Sequence, residues 1–105
     1  ELHRTVLNRC LPRLIKHLDF IKIYLSVKKK AILDDVTLRD IKEQTTRTNK
    51  IMELIERVKQ RGRKAYDVFK ECLGESRQTE LLDELKKVEA KFQMHETGIY
   101  PLSTV

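Results

Sequence analysis

The sequence predicts an all-α fold, a bundle of six helices, and three observations carry that prediction. Apolar residues return at i, i+3, i+4 and i+7 in run after run, the spacing that lines one face of a helix. With three glycines, two prolines and few β-branched or aromatic clusters, the chain favours helix over sheet. Its 105 residues, 40% of them apolar, suffice for one domain with one compact core.

The first helix is read from Leu7, Leu11, Leu14 and Leu18, with Val6, Cys10 and Ile15 widening the stripe. Pro12 interrupts it, because proline removes a backbone donor and crowds the carbonyl four residues earlier. A kink, or a split into two short pieces, is expected near residues 10–12. Asp19 suits the cap of a second helix whose buried face is Phe20, Ile23, Tyr24 and Val27. Ile21 and Leu25 lie off that face, left to a neighbouring helix or to solvent. Lys28, Lys29 and Lys30 close the run, where positive charge suits the negative end of the helix dipole. They read as a solvated helix end.

Ala31, Ile32 and Leu33 form an apolar connector expected to plug the core before Asp34 or Asp35 caps a short third helix carrying Val36, Leu38 and Ile41. The hydroxyl-rich residues 45–48 read as a loop able to cap a fourth helix, whose face is Ile51, Leu54, Ile55 and Val58. Gly62 and Gly74 are the expected stops on either side of a fifth helix over 63–73, carrying Ala65, Phe69, Cys72 and Leu73. A sixth, over 78–92, repeats Leu81, Leu85, Val88 and Phe92. Beyond Phe92 the period is lost, so residues 1–92 read as the domain and 93–105 as a linker or disordered tail. The chain opens on Glu1, which fits a piece cut from something longer; Ser103, Thr104 and Val105 would suit a carboxylate-binding groove only at a natural terminus.

Composition narrows the function. The net charge is +6 and the pI near 9.4, yet acidic residues are interleaved with basic ones. No apolar run approaches the roughly 20 residues that span a bilayer, and no signal peptide opens the chain, so it reads as soluble, cytoplasmic and without a membrane role. Cys10 and Cys72 fall on helical apolar stripes and are expected to be free, buried thiols. His3, His17 and His95 are scattered, and neither cysteine has a partner at metal-ligand or dyad spacing. No catalytic, cofactor or metal site is expected, and the domain reads as a non-enzyme.

The stretch Gln60-Arg61-Gly62-Arg63-Lys64-Ala65-Tyr66-Asp67-Val68-Phe69 places Ala-aromatic-Asp-x-Phe two residues after a helix ending in Arg-Gly. It resembles helices 4 and 5 of a caspase recruitment domain, most of all the versions in initiator caspases and their adaptors. Upstream, Ile41-Lys42-Glu43-Gln44-Thr45-Thr46 and Leu7-x-x-Cys10-x-x-Arg13-Leu14 are similar to the same family, and the resemblance runs over roughly residues 4–88. It implies an antiparallel Greek-key bundle of the death-fold type, in which a bent or split first helix is ordinary. It implies homotypic pairing with another recruitment domain, from an apoptosome-type scaffold or adaptor, and self-association as a further mode. The Gln-Ala-Cys-x-Gly signature around a caspase nucleophile is absent, so a caspase origin would make this the prodomain alone.

In that family a basic face of helices 1 and 4 commonly meets an acidic face of helices 2 and 3. The residues expected to carry protein binding here are Arg9, Arg13 and Lys16 on the first helix, Lys50, Arg57 and Arg61 on the fourth, and Asp34, Asp35, Asp40 and Glu43 on the third. One side is expected to be basic and another acidic. Asn8, Leu11, Thr48 and Met52 depart from the pattern, standing where some relatives carry arginine. The leading expectation is recruitment of an initiator caspase to an activating scaffold in apoptosis. The alternatives are an adaptor or sensor domain that nucleates filaments, and a basic helical nucleic-acid binder, disfavoured because its bases are spread over several helices among glutamates. Reversing Arg13 and Arg57 to Glu is expected to leave the fold intact and abolish partner binding.

Overall fold

The computed structural model describes residues 2–97, with side chains as far as Phe92. Six helices follow in order: α1 (Leu2–His17), α2 (Phe20–Lys30), α3 (Asp35–Lys42), α4 (Arg47–Arg61), α5 (Arg63–Glu75) and α6 (Thr79–Thr97). No strand occurs among the described residues.

The helix starts follow the expected caps. The Asp19 carboxylate accepts from the Lys22 N–H at 3.2 Å, that of Asp34 from Thr37 at 2.7 Å, and the Thr46 hydroxyl from Asn49 at 3.0 Å. Each satisfies a donor that the first turn cannot pair internally. Gly62 joins α4 to α5 without a side chain. Its N–H donates to Lys59, its carbonyl accepts from Tyr66, and its φ of 94° with ψ of −169° is a region that only glycine enters freely.

Of the kink or split expected near Pro12, the split does not occur: α1 runs continuously through the proline. Val6, Leu7, Cys10 and Leu14 are buried on one stripe on both sides of the proline, while the proline itself is exposed. The core contacts hold the helix together across the one hydrogen bond that Pro12 cannot give to Asn8. Nor does α5 end at Gly74. It continues to Glu75, and Arg77 supplies the left-handed residue at φ 62°, while the Ser76 hydroxyl donates to the Cys72 carbonyl at 2.7 Å. Gly74 lies inside the helix, and a Cβ there would meet Leu82 at 3.5 Å, an ordinary van der Waals contact. α6 runs past Phe92 to Thr97; of the expected tail, residues 98–105 lie outside the described residues, and with them the Ser103, Thr104 and Val105 reading.

The packing order is not the chain order. α1 packs against α6 and α4, α2 against α5 and α4, α3 against α4, and α5 against α4 and α6. Side-chain ties fix antiparallel registers: Asn8 with Lys59 for α1 and α4, Arg13 with Glu84 for α1 and α6, Ser26 with Glu75 and Lys30 with Glu71 for α2 and α5. The core takes Leu7 and Leu14 from α1, Ile23 and Val27 from α2, Leu38 and Ile41 from α3, all four predicted residues of α4, and Tyr66, Phe69 and Leu73 from α5. Leu33 closes it from the connector, and α6 adds Leu81 and Leu85. Each such side chain contributes about 1.5–3 kcal/mol of burial.

Candidate protein-interaction surfaces

The six basic residues expected to share one face do not do so. On α1, Arg9 and Arg13 turn toward α6: the Arg9 guanidinium stands 5.3 Å from the Phe92 ring, and Arg13 lies 3.9 Å from Glu84 while remaining 60% exposed. Lys16 lies on the outer ridge near Pro12, exposed. The flank of α1 that meets α4 carries Asn8, Leu11 and Ile15 instead. Its partners on α4 are Lys59, which donates to Asn8 at 2.7 Å, and Arg47, which donates to the carbonyls of Ile15 and Leu18. Thr48 and Met52 share that flank of α4, so the α1/α4 seam mixes polar and apolar side chains with the two cations Arg47 and Lys59, neither of them among the residues expected to bind a partner.

The three cations of α4 expected to bind a partner lie on its opposite flank. Lys50 stands 5.8 Å from the Phe20 ring of α2. Arg57 donates through Nε to Glu53 at 2.6 Å and lies 3.7 Å from Asp40, and Arg61 donates to Asp34 at 3.2 Å. The acidic cluster of α3 and the basic cluster of α4, expected on different sides, are thus neighbours across an antiparallel helix pair. The bond to Glu53 raises the pKa of the Arg57 guanidinium. The Thr37 N–H holds the Asp34 carboxyl below its usual range, with Arg61 and Arg57 adding to the effect. Asp35 and Glu43 stay exposed at the two ends of α3, with no ion pair of their own among the described residues. Of the residues expected to bind a partner, Arg9, Arg13 and Lys16 therefore lie on one side, and most of the rest in a partly self-neutralised α3/α4 seam on another.

Sequence reasoning missed a network inside the bundle. Tyr66 is fully buried, and its hydroxyl donates to Glu89 at 2.6 Å; Lys70 donates to the same oxygen at 2.9 Å and lies 4.7 Å from the tyrosine ring. Burial, then the Glu89 contact, pushes the tyrosine pKa well up. Burial would raise Glu89 too, but the bonds from Tyr66 and Lys70 prevail and hold it below its ordinary value. The signal was present in the sequence, since Tyr66, Phe69 and Leu73 repeat at i, i+3 and i+7.

The chemistry of these groups is that of packing. Cys10 and Cys72 are free and buried, and burial pushes the Cys10 thiol up to about 11 and Cys72 in the same direction, away from the reactive thiolate. Among the described residues, no cluster of His, Cys, Asp and Glu could hold a metal ion, and no helix is long and apolar enough to cross a membrane.

Comparison with known families places this surface in context. The model of the caspase recruitment domain, CARD, matches residues 4–88. No curated protein matches the chain. With a match over most of its length and a bundle of six crossed helices, the chain belongs to the caspase recruitment domain family and is a protein-interaction module, not a catalytic domain.

Proposed function

We propose that this domain recruits an initiator caspase to an activating scaffold in apoptosis, in the cytoplasm, by docking on the acidic face of another recruitment domain. The docking surface is the outer and α6-facing side of α1, formed by Arg9, Arg13 and Lys16. The observation that carries this reading is the accessibility of those cations: Arg13 is 60% exposed and only loosely engaged by Glu84, and Lys16 is exposed. Such charges can be transferred to a partner carboxylate with little internal loss, and opposite potentials speed encounter and reject wrong partners.

The same geometry bears on which side of the contact this domain supplies. Asp34 and Asp40 are engaged by Arg61 and Arg57, leaving Asp35 and Glu43 as the free acids of α3. A domain with an open basic side and a diminished acidic side suits one-sided recruitment better than head-to-tail propagation, which needs both sides on every copy. Recruitment then raises the local concentration of whatever is attached, turning weak encounters into effectively intramolecular ones.

Light scattering of the domain mixed with an acidic-faced recruitment domain of an apoptosome-type scaffold tests the reading. A complex should form at low salt, weaken as salt rises, and vanish in the variant Arg13→Glu/Lys16→Glu with its helical circular dichroism intact. Binding unchanged by that variant overturns the proposed face.

A further inference from the structure

The outer face of α2 has no partner among the described residues and carries nothing but aliphatic side chains and lysines. Ile23 and Val27 are buried, so steps of 100° per residue set Leu25 at the centre of the opposite face, with Ile21 and Lys28 on one side of it and Lys22 and Lys29 on the other. Ile21 is 70% exposed and Leu25 60% exposed. The helix, Phe20–Lys30, contains no acidic residue.

The groups around it strengthen the pattern. Glu75 and Glu71 of α5 are drawn to Lys30, at 2.8 and 3.6 Å, and Ser26 donates to Glu75. Asp19 is turned onto the backbone of the first turn, where it accepts from Lys22. On the other flank Lys42 stands 6.0 Å from the Tyr24 ring and Lys50 5.8 Å from Phe20, so two further cations border the ridge.

We propose that this face of α2 seats on the surface of an anionic phospholipid bilayer. Ile21 and Leu25 enter the boundary between headgroups and acyl chains, while Lys22, Lys28 and Lys29 meet lipid phosphate and carboxylate groups. A convex ridge of aliphatics ringed by cations needs a surface that is apolar beneath, anionic above and able to deform around it, which describes the bilayer interface. The helix lies on the membrane and does not span it. Two aliphatics and a few lysines give reversible binding in a single domain, which strengthens when several copies are held together.

Flotation of the purified domain with vesicles of phosphatidylcholine, and with vesicles in which about a third of the lipid is phosphatidylserine, tests this. Binding to the anionic vesicles alone, weakening as salt rises, is the expected result. Ile21→Ser/Leu25→Ser should weaken it at least tenfold, and Lys22→Glu/Lys28→Glu/Lys29→Glu by roughly a hundredfold. All five side chains are exposed, so the serine variant should melt with the wild type, and the charge-reversed one, with acids at the negative end of the helix dipole, should melt somewhat lower with its helical circular dichroism intact. Failure to bind anionic vesicles overturns the proposal, as does binding that the serine variant fully retains. Capture of duplex DNA or of an acidic protein without vesicle binding would assign the lysines to a different partner and overturn it equally.

Discussion

Replacing Arg57 with glutamate is expected to lower the melting temperature of the domain, a cost that an arginine on an open face would not carry. The guanidinium is 30% exposed and sits between two carboxylates, Glu53 at 2.6 Å and Asp40 at 3.7 Å. Each of these solvent-screened pairs contributes about 0.5 kcal/mol, and a carboxylate at position 57 turns each into a like-charge contact that costs a similar amount. The total is about 1–2 kcal/mol, equivalent to a fall of roughly 5–10 °C for a domain of this size. Arg13→Glu, by contrast, loses one long contact to Glu84 at 3.9 Å on an open surface and should melt within ~2 °C of the wild type.

Thermal melts followed by circular dichroism at low and high salt separate the two, because added salt should narrow the deficit at Arg57. Adding Asp40→Arg to Arg57→Glu restores an opposite pair and should recover part of the lost stability. An Arg57→Glu variant that melts with the wild type at low salt would refute the α3/α4 seam described above. The expectation that reversing Arg13 and Arg57 together leaves the fold undisturbed is thereby revised. Loss of partner binding on reversing Arg57 would report a loosened seam as well as a lost contact, whereas the α1 variant reports the contact alone.

Two further outcomes follow from the interior. Tyr66→Phe removes the hydroxyl bonded to the 15%-exposed Glu89 side chain and should cost about 1–2 kcal/mol at neutral pH by thermal melting. Glu89 is held below its ordinary 4.5, so its contribution is present above that pH and lost as pH falls; Tyr66 is raised above its ordinary 10.0, so its contribution is present below that pH and lost as pH rises. The gap between wild type and variant should therefore be widest between those limits and close on both sides, and a gap that does not change with pH would sink the assignment. Gly62→Ala meets open space but forces a Cβ onto a φ of 94°, and should cost about 1–3 kcal/mol in denaturant melts; a neutral result would refute the strained junction.

Most of the scaffold was legible because it is written in periodic and local signals. The stripe of Ile51, Leu54, Ile55 and Val58 and the caps Asp19, Asp34 and Thr46 are decided within one or two turns of chain. The chain does not split at Pro12 because the cost of a missing hydrogen bond is local, while the burial that offsets it comes from α4 and α6. Gly74 misled for a similar reason: a glycine marks a stop only where the backbone must turn left-handed, and Arg77 does so here. Arg47, which ties the start of α4 to the end of α1, had no local signal, because its acceptors are carbonyls some thirty residues away in sequence.

The charged surface was least legible, for the sequence gives each helix its own faces but not its neighbours. Placing Arg57 and Arg61 on one flank of α4, and Asp34 and Asp40 on α3, required only the helical period; that the two flanks face each other is a fact of packing order. Once they do, a net charge of +6 is no longer a guide to where a partner docks, because the internal pairs silence cations and acids alike and leave the excess positive charge on other faces. Among the accessible basic surfaces that remain are Arg9, Arg13 and Lys16 on α1 and the lysine-ringed ridge on α2. They differ in kind. The first is charge on a polar helix face, suited to a folded acidic partner, and the second is charge around exposed aliphatics, suited to a surface that can admit them. Because these side chains are exposed on separate helices, α1 packing mainly on α6 and α2 mainly on α5, the two can be mutated separately, and a domain bound through one can keep the other free.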